Sequence, residues 1–348
     1  MTKSKLKMMR GSIEAMNRPE VTIAVIQRER FSFTQESLDS LYENTDLPFH
    51  LIYIDGASPA TTSLYLQKQS KERGFELIRV ENFLQPNQAR NLALRHTKTP
   101  YIAFVENDCL FRPGWLTKLL ECARETEAEV VTPIITEGSE PAFETVHCIG
   151  GETVAFEEEV QGVSKKGIRD EIHYQKHRIA DVLSEMTRCE TGLTEFHCVL
   201  VKTELLHRLG GLDEGMINTK EHLDFSLAAK DANARLFIEP ESVVNYVGDL
   251  PLKTNELPFY FFRWNTHFAR QSMLNLCKKW NLDPETKFVK RRSNLSWRRQ
   301  YQLAQFFAYN VSGNSKTLAA VRKLLSPFDQ LIDHLVYLRN RKNLVNRS

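Results

Sequence analysis

Three short polar clusters each follow an apolar, β-branched run: Gln27-Arg28 after Val21 to Ile26, Asp55-Gly56-Ala57-Ser58 after Phe49 to Ile54, and Glu106-Asn107-Asp108 after Tyr101 to Val105. In the third, alternation along an extended chain turns Glu106 and Asp108 to the same side. Two hard oxygen ligands then share one strand end, where Mg2+ or Mn2+ would bridge phosphate oxygens. Arg90 adds a planar fork suited to phosphate. Farther on, Glu221 and Asp224 stand three apart on one expected helix and share a face, with His222 between them. Carboxylate and imidazole are both competent proton acceptors. In isolation Asp55 reads as a turn former, Arg90 as a solvated helix residue, and Glu221 as a dipole partner at a helix start.

What lifts these residues above their separate readings is the set of elements that carries them. Strand-length runs alternate with helical patterns: a strand over Phe49 to Asp55, a helix over Thr61 to Arg73, a strand over Phe75 to Val80, a helix from Pro86 to about His96, and a strand over Tyr101 to Val105. Such alternation predicts an α/β fold with a mostly parallel sheet covered by helices on both faces and right-handed crossovers. Ligands of these sheets bind at the carboxyl ends of the strands, so the three polar clusters converge on one crevice. Beyond Trp115 the pattern continues through a helix, a strand over Val130 to Ile135, a run at Cys198 to Val201, the Gly210-Gly211 turn, and a helix over Glu221 to Asp231. Leu236 to Ile238 and Val243-Val244 close the α/β part. The charged stretch from Gly138 to about Thr187 reads as an insertion or mobile loop region, and the chain from Phe259 onward as helical and aromatic-rich.

Composition sets the class. With 348 residues, 42% hydrophobic and 26% charged, the chain can bury a sizeable core. No apolar run approaches the roughly 18 to 20 residues that cross a bilayer. The expected location is cytoplasmic, with peripheral attachment at the inner membrane face as the alternative. Six irregularly spaced cysteines lack the paired gaps of a zinc site, and strand packing accounts for His147-Cys148 and His197-Cys198 more simply than metal does. From Lys287 onward 13 Lys/Arg stand against 2 Asp/Glu, so this tail carries +11 and residues 1–286 carry −9. A basic tail on an acidic body reads equally as a solvated basic helix or as a segment drawn to anionic surfaces, with a membrane face as partner ahead of nucleic acid. Phe259 to Trp264 and Phe306-Phe307, beside Lys290-Arg291-Arg292 and Arg298-Arg299, read as helix core with a basic rim.

The run Pro86-Asn87-Gln88-Ala89-Arg90-Asn91-Leu92-Ala93-Leu94 leads through Thr99-Pro100 into Glu106-Asn107-Asp108. With Ile54-Asp55-Gly56-Ala57-Ser58 upstream and Gly210-Gly211-Leu212-Asp213-Glu214 and Glu221-His222-Leu223-Asp224-Phe225 downstream, it resembles the family 2 glycosyltransferases across residues 21–247. The resemblance implies a GT-A type fold and transfer of a sugar from a nucleotide-sugar donor to a glycan or lipid-linked acceptor, with inversion. It implies that Asp55 bonds the nucleobase, that Arg90 lies near the nucleotide, that Glu106 reaches the ribose or a metal-bound water, and that Asp108 binds the cation. The expected division is an N-terminal extension over 1–19, a catalytic domain over 20–250 and a helical, basic region over 251–348.

Two departures stand out. The family's metal motif usually has Asp at the positions of Glu106 and Asn107, and its Glu-Asp pair has His222 as second member here. Glu221 is ranked first as base, then Asp224, then His222. Where the family places a metal-binding His after the last core strand, Asn245-Tyr246 stand, and His267 is the candidate substitute. A dehydrogenase would want glycines after the first strand, where Arg28-Glu29-Arg30-Phe31 stand instead. A nucleotidyltransferase would want a glycine-rich basic first loop, also absent. The remaining alternative is a noncatalytic scaffold or sugar-nucleotide-binding protein on the same fold.

Overall fold

The computed structural model describes residues 18–138, 144–248, 252–308 and 315–345. The expected N-terminal extension up to residue 17 and the Phe306-Phe307 side chains lie outside what is described.

Three strand–helix steps and a fourth strand build the first half: β1 (Val21–Ile26), α1 (Thr34–Asn44), β2 (Phe49–Gly56), α2 (Ala60–Arg73), β3 (Glu76–Val80), α3 (Pro86–His96) and β4 (Tyr101–Glu106). Pro86 opens α3, where its missing N–H would have had no helical partner. All six residues of β1 are buried, because helices cover both of its faces. Val21, Ile23 and Val25 enter one core with Leu38, Leu41 and Trp115. Ala24 and Ile26 enter the other with Ala89, Ala93 and Phe225. Strand alternation thus divides one run between two cores, each full burial of such a side chain contributing about 1.5–3 kcal/mol. A charge at Ile23 would remove that contribution and leave an unpaired buried ion.

The second half adds β5 (Cys109–Phe111), α4 (Trp115–Thr126), β6 (Val130–Glu137), β7 (Thr145–Cys148), β8 (Gly151–Val160), β9 (Val163–Ile172), α5 (Ile179–Val182), β10 (Cys189–Glu190), β11 (Cys198–Lys202), α6 (Thr203–Arg208), α7 (Glu221–Asp231) and β12 (Leu236–Tyr246). The sheet runs β3-β2-β1-β4-β11-β6-β12-β10. Its parallel heart, β3-β2-β1-β4, pairs Val25 with Tyr53 and Ile26 with Glu106, so the ends of β1, β2 and β4 open side by side. This is the α/β architecture expected, with β11 inserted antiparallel between β4 and β6.

Two stretches differ from expectation. The charged segment after Gly138 is more regular than a loop: β8 and β9 pair from Gly151↔Ile172 to Val160↔Val163 as a ten-residue ribbon. Its alternating charges hid the strand signal, since a two-stranded ribbon exposes most side chains. Leu236 to Val244 is one strand, its register shifting between Glu239 and Val243, where Pro240 cannot donate to the ladder. All six cysteines are free, and Cys189 is exposed rather than in the core.

Helices α8 (Leu257–Arg263), α9 (Thr266–Lys279), α10 (Lys287–Arg292), α11 (Ser296–Ala308) and α12 (Ser315–Val345) follow. Part of the basic tail is internal. Arg299 is buried, donating to Asp329 Oδ1 and Oδ2 at 2.8 and 3.0 Å, and lies 3.1 Å from Asp333. Arg298 donates to Glu29 in the loop after β1.

Candidate active site

Glu106 ends β4 and is the hub of the crevice. Arg28 Nη1 donates to both of its carboxylate oxygens at 3.0 and 2.9 Å, and Arg90 Nη2 reaches Oε1 at 3.4 Å. His197, just ahead of β11, faces Glu106 across the antiparallel pairing. Its Nδ1 lies 2.7 Å from Oε2, without hydrogen-bond alignment. Burial opposes the charge of Glu106, yet Arg28 and Arg90 outweigh it and hold the carboxyl well below the usual range. Burial, then Arg28, lowers His197 to about 4, so its imidazole is neutral near pH 7.

Asp108 is fully buried, and neither carboxylate oxygen has a hydrogen-bond partner among the described residues. Burial, then the charge of Glu106, pushes it up to about 8. A buried carboxyl without donors is costly, and a cation would satisfy it. No group of three or more His, Cys, Asp or Glu gathers as a cage among the described residues. With the oxygens of Glu106 engaged by arginine, the unengaged donor of the motif is Asp108. Asn107 braces the backbone instead, its Oδ1 accepting from Arg28 N at 2.8 Å and its Nδ2 donating to Arg30 O at 3.2 Å. An Asp there could not make the second bond, so the departure from the family pattern pins the loop after β1.

Asp55 ends β2, fully buried. It accepts from Gln27 Nε2 and Ser58 N, both at 3.0 Å, and from Arg79 Nη1 at 2.5 Å. Arg90, on α3, is buried rather than solvated, its guanidinium 3.8 Å over the Phe196 ring. Burial lowers it to about 10, against the pull of Glu221 and Glu106. The next residue, Asn91, exchanges two 2.8 Å bonds with the backbone of Leu212. This close approach requires Gly211, whose φ is +95° and whose added Cβ would meet Asn91 Oδ1 at 3.0 Å. Two motifs far apart in sequence are thereby one structural unit.

The start of α7 sends its three candidates in different directions. Glu221 accepts from Arg263 Nη2 at 2.8 Å; burial would raise its pKa, but Arg263 and Arg90 bring it below the ordinary value. Asp224 accepts from Lys279 Nζ and Trp280 Nε1, both at 2.8 Å, and burial raises it. Glu221 and Asp224 stand three apart on one helix, as expected, but are held by different partners. His222 lies with Nδ1 3.5 Å from Glu195 Oε1 and Nε2 4.0 Å from Asp170 Oδ2 on the ribbon; Nε2 has no hydrogen bond.

Sequence reasoning named Arg28 as a strand-end residue without a role and passed over Glu29, Arg263 and Glu195. Glu29 binds Trp264 Nε1 at 2.8 Å, tying the crevice to the helical region. A buried charge in a loop next to a strand end was the available signal for Glu29; nothing local marks Arg263, which arrives from another region of the chain. His267 stacks on Tyr337 at 4.6 Å instead of joining this group. Tyr246 stacks on His197, with ring centroids 4.1 Å apart.

Residues 22–186 match the family described as Glycosyl transferase family 2. Among curated protein sequences nothing matches. Among solved structures the chain is similar to GalNAc-T7 with UDP, GalNAc and Mn2+, at 15% identity and TM-score 0.48, covering 76% of this chain and 55% of that one. It is also similar to the mannosyltransferase PcManGT from Pyrobaculum calidifontis in complex with GDP-Man and Mn2+, at 17% identity and TM-score 0.48, covering 95% and 88%. Residues 1–349 of S. aureus TarS give 14% identity and TM-score 0.45, covering 91% and 89%. The chain thus spans little more than half the length of the GalNAc-T7 chain.

Proposed function

This chain is a family 2 glycosyltransferase by its residues 22–186, and from that premise we propose that it moves a sugar from a nucleotide-diphosphate sugar to a hydroxyl of a glycan or lipid-linked acceptor, with inversion and a divalent cation. The observation that carries this reading is Asp108: a buried carboxyl without a hydrogen-bond partner, near Arg28 and Arg30, where a parallel sheet binds ligands. Asp108 would hold Mg2+ or Mn2+, hard cations suited to an oxygen donor. A bound cation would neutralise charge on the departing diphosphate.

The chain's own residues divide the remaining work. Arg28, Arg90 and Arg263 form the positive side of the crevice and hold the diphosphate, while Asp55 at the end of β2 orients the nucleobase. Glu106 and Glu221 keep these arginines in place, because each carboxylate binds one or more of them. Inversion puts the acceptor hydroxyl and its base on the face opposite the leaving diphosphate. Glu221 looks toward the arginines and Asp224 toward Lys279, whereas His222 looks toward Glu195 and the ribbon. This favours His222 as base, with Glu195 orienting its Nδ1 and Glu221 acting through Arg263.

A thermal-shift screen of nucleotide sugars with and without Mn2+ tests the reading. A ligand at a hundred times its Kd stabilises by about 2.7 kcal/mol. No shift with any nucleotide sugar in either condition would refute donor binding.

A further inference from the structure

The tail helix α12 is built inside out. Its two carboxylates, Asp329 and Asp333, are buried against Arg299, and Asn265 Nδ2 donates to Asp333 O at 2.7 Å. Its large apolar side chains point the other way. Leu324, Phe328, Leu331, Leu335 and Leu338 are 74, 65, 58, 54 and 39% exposed, at spacings of four and three that form one stripe along the helix. Lys323, Arg339 and Arg341 are exposed among and beside them, and no acidic side chain of the described 319–341 stretch reaches solvent. On the neighbouring α11, Trp297 and Tyr301 are 52 and 45% exposed, one turn apart.

We propose that this face of α12 docks on an anionic phospholipid surface, the helix lying in the headgroup layer with the stripe inserted and the cations at the phosphates. Apolar residues rimmed by cations, with the acids withdrawn inward, are the composition of an interfacial helix, and Trp and Tyr belong at the same depth. The helix lies on the bilayer and does not cross it, since no described helix is long and apolar enough to span. A second copy fits less well. The stripe covers about two heptads, short of the three or four over which a coiled coil is recognised, and pairing it with itself would bring like charges together. The proposal rests on this surface alone and is tested without any sugar transfer.

The test is flotation of the full chain with phosphatidylcholine vesicles, with and without phosphatidylglycerol. The native protein should float with the mixed vesicles. Leu331→Asp with Leu335→Asp should lower partitioning on the order of tenfold or more, and Leu324→Asp with Phe328→Asp should do the same from the other end of the stripe. Replacing Lys323, Arg339 and Arg341 by Ser should lower binding to the anionic vesicles about fivefold per charge. Circular dichroism confirms that each variant is folded. Native protein that stays with the solvent, or a folded stripe variant that floats as well as native, overturns the proposal. So does a dimer in sedimentation that the stripe variants dissociate while vesicles bind nothing, which would assign the stripe to a second copy.

Discussion

Glu106 and Asp108 stand two residues apart at one strand end and meet opposite electrostatic fates. Arg28 and Arg90 keep Glu106 charged, whereas burial beside that charge raises Asp108 to about 8. The first carboxylate organises protein and the second is left without a partner. Motif spacing showed both as ligand types; their division depends on side chains from two other segments.

Asp108→Asn should abolish the Mn2+-dependent part of nucleotide-sugar binding and leave the fold intact. The metal-free variant should also be the more stable protein at alkaline pH. A carboxyl raised in the folded state holds a proton that the unfolded chain releases, so native stability falls as pH rises from the ordinary carboxylate range to about 8. Denaturant melts at neutral and alkaline pH, with and without Mn2+, check both outcomes. Unchanged Mn2+-dependent binding in the variant rules out Asp108 as ligand.

Arg90→Lys keeps the charge but removes the fork that reaches Asn87 Oδ1 and Glu106 and the plane that lies over Phe196. We expect affinity for the nucleoside diphosphate to fall on the order of tenfold, read by calorimetry. An unchanged Kd would remove Arg90 from the donor site.

The parallel heart of the fold was legible because its strands carry apolar runs and its helices announce their starts, as Pro86 does. The ribbon from Gly151 to Ile172 was not, since its charged residues satisfy themselves in solvent and leave no hydrophobic period. Within the site, Asp55, Glu106 and Asp108 stood out in the sequence as polar residues at strand ends, and Arg90 through the family resemblance. Arg263 did not stand out, because its approach to Glu221 depends on how the helical region folds back over the sheet. His222 was visible, but the separation of Glu221, His222 and Asp224 toward three sets of partners follows from packing around α7.

Glu29 joins the first loop to the helical region through Trp264 and Arg298, and its pH dependence should show it. Burial works against its charge, but Arg298, Arg28 and Arg30 lower it to about 2. A depressed carboxyl contributes stability above its unfolded pKa and loses that contribution as pH falls toward the folded value. The advantage of native protein over Glu29→Gln should therefore be full above about pH 4.5 and decline toward pH 2, with a size on the order of 3 kcal/mol. Acid titration of the two by circular dichroism checks this, and parallel curves would show that Glu29 carries no linked proton.

His222→Ala should lower turnover by about a hundred- to ten-thousand-fold with donor affinity nearly unchanged, the usual cost of a lost general base. The expectation follows from what holds each candidate. Glu221 is held by Arg263 at 2.8 Å on the arginine side, and Asp224 is held by Lys279 and Trp280, so both carboxylates are already engaged by other donors. His222 has a ring nitrogen free of hydrogen bonds, and Glu195 is near the other. Glu221→Gln should behave differently: it loosens Arg263, so donor affinity falls together with turnover. The second position of the family's Glu-Asp pair is usually a carboxylate, so His222→Asp should recover part of the activity lost in the alanine variant. Single-turnover rates at saturating donor, beside calorimetric donor affinities, separate the two roles. If Glu221→Gln loses turnover alone while His222→Ala remains active, the base is the carboxylate and Arg263 serves only to orient it.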